Sequence, residues 1–351
     1  MKVFLGASLV AALGLATLVA AQTEGLNNSS KRFTDPAQVG IDDMDDPAQI
    51  RRTWDAAIVM VPDGPGRSKQ TSLADLDAAY GEGQRRFPTA IYMHGCAGLW
   101  SGSLLRMKFL ADNGFLVIGP ASMARTVYAR SCDAATHESG MFRPTLSMRQ
   151  LDAGYAIETA KGLPFVDADN MLLIGLSEGG VIAATFKPLS DSQRVAARVV
   201  EGWTCKAGWY EYAGLNAPED EPVLSLVGAK DPWYRNEWNV GHCGEFMDGR
   251  TDSKSVVYET GQLASRHELL EFRSVQEETM AFLRQHIDLP FSVREVQQLL
   301  TDLGYDPGPV DGAWGAKTLA ALNALRAAHG LPEVGALDES SLTLLGQLWK
   351  G

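Results

Sequence analysis

An α/β domain with a mostly parallel sheet flanked by helices, followed by a small three-helix domain, is what this 351-residue sequence predicts. Three observations carry that reading. Short apolar, β-branched runs recur between residues 56 and 258, and continuous apolar runs suit strands buried on both faces. Segments of helical period separate several of them, and strand–helix alternation calls for a parallel sheet covered on both sides. After Leu289-Pro290 only helical patterning remains.

Taken in order, the chain opens with Met1-Lys2, then runs uncharged from Val3 to Ala21 and closes on Val19-Ala20-Ala21 before the polar Gln22. A basic start, an apolar run and small residues at its end predict a signal peptide over 1–21. No later stretch is apolar for long enough to cross a bilayer, so no membrane span is expected in the mature chain. Residues 22–52 read as a polar N-terminal extension, with Asp-Pro-Ala-Gln at 35–38 and again at 46–49. It is expected to be an extended lead-in that packs on the next domain.

Strands are expected at Ala56–Val61, Thr89–Met93, Phe115–Ile118, Met171–Ile174, Ala197–Val200, Pro222–Val227 and Ser255–Tyr258. Helices are expected at Leu104–Asn113, Leu146–Lys161 and Val181–Pro188. Ser274 and Glu277 stand at capping-box spacing and predict a last helix, Ser274–His286, closing a domain over 53–288. A second capping box, Ser292 with Glu295, opens the small domain over 291–351. Its first helix should bury Val293, Val296, Leu300 and Leu303, its second Leu319, Leu322 and Leu325, and its third, capped by Asp338, Leu342, Leu345 and Leu348.

Charge narrows the partners. Against 31 basic residues stand 43 acidic ones, for a net charge of −12. That is the reverse of the cationic footprint that phosphate backbones select, so nucleic acid is not an expected partner. Cys96, Cys132, Cys205 and Cys243 form an even set in a chain expected to be exported, which predicts two disulfides in one of three pairings. No Cys-x-x-Cys and no histidine at ligand spacing from a cysteine occurs, so neither a metal nor a cofactor is expected.

The sharpest chemical signal is Gly175-Leu176-Ser177-Glu178-Gly179, between an apolar strand and a helix-prone segment. A serine hydroxyl is a poor nucleophile unless a strained, exposed position and a neighbouring base activate it. A sharp strand-to-helix turn supplies the position, and its small residues let two backbones approach. The same turn aims the amide of Glu178 at a developing oxyanion. Among six histidines, His94 and His137 precede Ser177, His286 ends a helix, and His329 lies in the second domain. His267 and His242 remain, and chain order Ser…Asp…His favours His267. Asp231, just past the run 222–227, is the candidate that orients the imidazole. A second oxyanion donor is expected in His94-Gly95-Cys96-Ala97-Gly98, with the amide of Cys96 the choice.

Residues 53–288 resemble the dienelactone hydrolase-like group of the α/β-hydrolase fold. The resemblance rests on His-Gly-Cys-Ala-Gly at 94–98, Gly-Leu-Ser-Glu-Gly-Gly at 175–180, Gly-Ala-Lys-Asp-Pro-Trp at 228–233 and Ser-Arg-His at 265–267. It implies a Ser177–Asp231–His267 triad and, with serine rather than cysteine as nucleophile, hydrolysis of a small ester. In such a domain Cys96 and Cys132 lie beyond consecutive strand ends, as do Cys205 and Cys243. The pairs Cys96–Cys132 and Cys205–Cys243 at the ligand-binding edge of the sheet are therefore favoured. Trp100, Trp203, Trp209, Trp233 and Trp238, with Tyr210, Tyr212 and Tyr234, either line an acyl or sugar cleft there or pack its loops. Arg125 and Arg130 read as solvated surface charges.

Residues 291–348 resemble the peptidoglycan-binding-like domain, through Val296-Gln-Gln-Leu-Leu300, Leu303-Gly-Tyr305, Pro309-Val-Asp-Gly312, Gly315, Thr318 and Gly330-Leu-Pro332. The resemblance implies attachment to peptidoglycan and a place in the bacterial periplasm or at the cell wall, with Tyr305 or Trp314 as candidate glycan contacts. The sequence thus points to an exported serine esterase. A peptidase or amidase would need the same triad, and an inactive wall-binding protein is the reading from another class.

Overall fold

The computed structural model describes residues 25–349; the expected signal peptide lies outside them. From Pro36 onward the extension is largely helical rather than extended. Asp35 and Asp46 each accept an N–H from the residue two further on, ahead of a proline, and so start a 3₁₀ turn at Pro36–Gln38 and the helix α2 (Pro47–Asp55), with α1 (Asp42–Asp45) between. The repeated Asp-Pro-Ala-Gln is thus a helix start used twice: the aspartate caps, and proline at the first position loses no hydrogen bond.

Each expected apolar run forms a strand: β1 (Ile58–Pro62), then β3 (Phe87–Met93), β4 (Leu116–Gly119), β7 (Val166–Leu176), β8 (Ala197–Glu201), β9 (Val223–Gly228) and β10 (Lys254–Tyr258). Between them lie the edge strand β2 (Ser68–Thr71) and a two-residue pairing of β5 (Cys132–Asp133) with β6 (Glu138–Ser139). The helices are α3 (Leu73–Tyr80), α4 (Ser101–Asp112), α5 (Thr145–Lys161), α6 (Glu178–Thr185) and α7 (Arg273–His286).

Eight strands form one sheet in the order β10-β9-β8-β7-β3-β4-β1-β2. Pairing is parallel except at β1, which runs antiparallel to β2 and β4. Side chains alternate between two cores. Val59, Ile91, Met93 and Leu173 face the layer of α5 and α6, whereas Ile58, Tyr92, Leu172 and Ile174 face that of α4 and α7. Strand order reverses between β3 and β7, so the loops after Met93 and Leu176 flank the crevice where open α/β sheets receive ligands.

Helices α8 (Val293–Asp302), α9 (Ala316–Ala328) and α10 (Glu339–Trp349) hold a separate core of Val296, Leu300, Leu322, Leu325 and Leu345. The Ser292–Glu295 capping box forms in full, while that at Ser274 does not: α7 starts at Arg273, with Phe272 as its cap. Leu303 is exposed because α8 ends one residue before it, and Leu344 rather than Leu342 is buried in α10. The sequence motif of this unit closes a hydrogen-bond knot: Gln297 donates to Asp311, Ala313 and Thr318, and accepts from the amide of Gly312 at 2.8 Å. Among the described residues no helix is long and apolar enough to cross a membrane.

Candidate active site

Ser177 sits between β7 and α6 with φ +58° and ψ −118°, backbone angles that an L-residue adopts only under strain. Two glycines make that turn possible. A Cβ on Gly175 would fall 2.1 Å from the carbonyl oxygen of Gly179, and one on Gly179 would fall 1.9 Å from that of Met93. The amide of Ser177 donates to the carbonyl of Glu201 at 2.8 Å, tying the turn to the end of β8. Glu178 is the first residue of α6, so its N–H has no intrahelical acceptor.

Asp231 and His267 are brought together. Asp231 follows β9, and its buried carboxylate lies 2.6 Å from His267 Nδ1. A carboxylate only accepts, so Nδ1 carries the hydrogen and Nε2 is left as an acceptor. That Nε2 is buried and has no hydrogen-bond partner among the described residues. The other carboxylate oxygen of Asp231 accepts from the amide of Trp233 at 3.0 Å. The His267 ring stacks on Trp233, with centroids 5.3 Å apart, and lies 5.9 Å from Tyr234. Both of these rings line the cleft that also contains Ser177, Glu178 and Cys96. Gly228 lets the His267 loop come close, since a Cβ there would fall 2.6 Å from the carbonyl of Ala264.

The other histidine of the motifs serves structure. His94 is fully buried; its Nε2 accepts from the amide of Ser122 at 3.2 Å, so Nδ1 holds the hydrogen and donates to the carbonyl of Gly95. Burial, and then the charge of Arg149, hold this imidazole well below its ordinary pKa.

Arg149 itself was not singled out by sequence, although it stands on the apolar stripe of α5 with Leu146 and Ala153. Fully buried, it donates to Glu178 Oε1 at 2.6 Å and to the carbonyl of His94. A second buried pair, Arg106 with Glu201 at 2.8 and 2.9 Å, steadies the end of β8, and Glu201 also accepts from the amide of Leu270. Arg125, expected at the surface, is fully buried: it pairs with Asp152 at 2.6 Å and donates to the carbonyls of Asp43 and Met44, which fastens the N-terminal segment. Arg130 is exposed, over the ring of Phe33.

The disulfides are Cys96–Cys132 and Cys205–Cys243. The first joins the loop after β3 to the β5–β6 pairing, whose Ser139 and Gly140 line the cleft. The second joins the loop bearing Trp203 and Trp209 to the one bearing Trp238 and Asn239. The loop after β3 is also held from the N-terminal side: Leu26 accepts from the amide of Leu99 at 2.8 Å, and Ala97 accepts from that of Asn28 at 2.9 Å.

The cleft is narrow and aromatic. Trp203, Trp209, Tyr212, Trp233, Tyr234 and Trp238 line it, whereas Trp100 packs against Gly102 and Tyr210 points into solvent. Its cavity measures about 40 Å³, against about 640 Å³ for the groove between α7 and the C-terminal helices. Among the described residues that line it, only Glu178 is of a charged type, and Arg149 pairs with it.

Comparison with solved structures finds weak likenesses. A "Putative Dienelactone Hydrolase" from Klebsiella pneumoniae is 19% identical, with a TM-score of 0.40 over 57% of this chain and 88% of that one. An acetyl xylan esterase from Paenibacillus sp. is 13% identical, with a TM-score of 0.42 over 66% and 79%. Among curated proteins, a "Putative OxPP cycle protein OpcA" from Nostoc punctiforme is 40% identical over 55 residues, which is 16% of this chain and 12% of that protein. The C-terminal unit has the clearest counterpart: residues 292–345 match the family described as "Putative peptidoglycan binding domain".

Proposed function

We propose that this chain is an exported serine hydrolase of carboxylic esters, held at peptidoglycan by residues 291–351. Ser177 Oγ attacks the ester carbonyl carbon while His267 Nε2 takes its proton. The amides of Glu178 and Cys96 stabilise the oxyanion. Collapse expels the alcohol, which takes the proton from Nε2 and leaves an acyl-enzyme on Ser177. Water, deprotonated by the same nitrogen, then releases the acid. Asp231 holds the imidazole in the tautomer this requires.

The observation that carries the reading is the Asp231–His267 contact at 2.6 Å, which leaves Nε2 a buried acceptor without a partner among the described residues, on a ring beside Trp233 and Tyr234, both of which line the cleft of Ser177. Two disulfides fit an oxidising compartment, and the family match over 292–345 supports attachment to the wall. A fluorophosphonate probe tests the chemistry: the wild type is expected to label and Ser177→Ala not to. Labelling that survives in Ser177→Ala would overturn the assignment. Retention on purified sacculi tests attachment: the full chain should be retained, and a chain ending at residue 288 should not.

A further inference from the structure

Building on the serine-esterase reading, we propose that the cleft admits only short, uncharged acyl groups, acetyl and its near homologues, and that Trp209 and Trp238 set this limit. The first support is size. One water needs roughly 10–15 Å³ of such space, so a cavity of about 40 Å³ holds about as many heavy atoms as an acetyl group.

The second support is that two of the rings lining the cleft, Trp209 and Trp238, pack against each other and Trp209 is held in place. Trp209 lies against Gly140, where a Cβ would come within 2.4 Å of the ring. Arg143 covers that ring at 5.2 Å, and Trp238 meets it with centroids 6.2 Å apart. Trp238 lines the cleft beside Trp209 and is 50% exposed, so it is the ring that a longer chain would displace.

The third support is charge. Among the described residues that line this cleft, an anionic acyl group would meet Glu178 and no lysine or arginine. Arg149 is committed to Glu178, Arg143 to Glu211, and Arg125 to Asp152. Burying an unpaired carboxylate is costly, so esters of dicarboxylic acids are selected against.

The test is a series of p-nitrophenyl esters from acetate to dodecanoate, together with the monoanionic succinate ester. Each methylene that fails to fit changes kcat/KM by about tenfold or more, so the wild type should favour acetate or propionate and fall steeply by octanoate. Trp238→Ala, at a half-exposed position, should raise the ratio of kcat/KM for octanoate to that for acetate by about tenfold. Trp209→Ala should act in the same direction. A wild type that prefers octanoate, accepts the succinate ester as readily as butyrate, or keeps its profile in Trp238→Ala would overturn the proposal. Fluorophosphonate labelling separates the two ideas. Labelling with a long-chain preference removes only the length limit, whereas no labelling and no ester turnover removes the hydrolase reading and this inference with it.

Discussion

Arg149 bridges Glu178 and the carbonyl of His94, and so fastens the residue after Ser177 to the loop that follows β3. The two amides expected to hold an oxyanion belong to these same two segments. One buried guanidinium therefore controls their spacing.

Removing that guanidinium should be costly. Arg149→Met leaves Glu178 buried beside the cleft without its cation, and breaking such a pair costs about 3–5 kcal/mol. Adding Glu178→Gln removes the stranded charge and should recover a good part of the loss. Urea denaturation of the single and double variants measures both. Equal stabilities would show that the pair is not coupled.

Gly179→Ala should fail to give folded protein, or give one with a severely lowered Tm. Its new methyl would fall 1.9 Å from the backbone of Met93, which no rotamer change relieves. Gly315→Ala is the matched control, because among the described residues no atom beyond its own chain neighbours lies within 4 Å of its Cβ position. Thermal unfolding of the two variants side by side checks the contrast.

Acid should weaken the fold partly through His94. Its imidazole is held well below its ordinary value of 6.5 by burial and by Arg149, whereas the unfolded chain protonates normally. Below about pH 6.5 the unfolded state then binds the extra proton, so stability falls as pH falls, by at most about 1.4 kcal/mol per pH unit. Above that pH the contribution is flat. In His94→Asn the slope of stability between pH 6.5 and 5 should be shallower than in the wild type; an unchanged slope would remove His94 as its source.

The bridge between Cys96 and Cys132, 36 residues apart in sequence, should stabilise the chain by about 3–4 kcal/mol. It also links the loop beside Ser177 to a wall of the cleft. Cys96→Ser with Cys132→Ser should therefore lower the urea midpoint and slow fluorophosphonate labelling while far-UV circular dichroism stays native. Labelling at the wild-type rate in the double variant would show that the bridge supports the fold alone.

What the sequence made legible followed from local rules. Continuous apolar runs revealed the strands, because β4, β8 and β9 are buried along their whole length between two helical layers. Gly-Leu-Ser-Glu-Gly announced its turn because glycine is required where backbones nearly touch. The helical extension was misread, although each Asp-Pro carries a helix-start signal, because the polar residues between them suggested loop. Arg125 was misread for a different reason: its partner Asp152 is 27 residues away and reaches it only after folding. Arg149 left a clue, a cation on an apolar stripe, but its partners Glu178 and His94 lie on other elements. Buried ion pairs of this kind are long-range facts, and local pattern does not encode them.

The hydrogen bonds that join Leu26 and Asn28 to the loop after β3 make this stretch of chain a splint for the proposed reaction centre. Trimming past Leu26 would take this brace from the loop after β3 even though the sheet remained whole. Whoever prepares this protein chooses, with the first residue of the recombinant chain, how well its chemistry is supported.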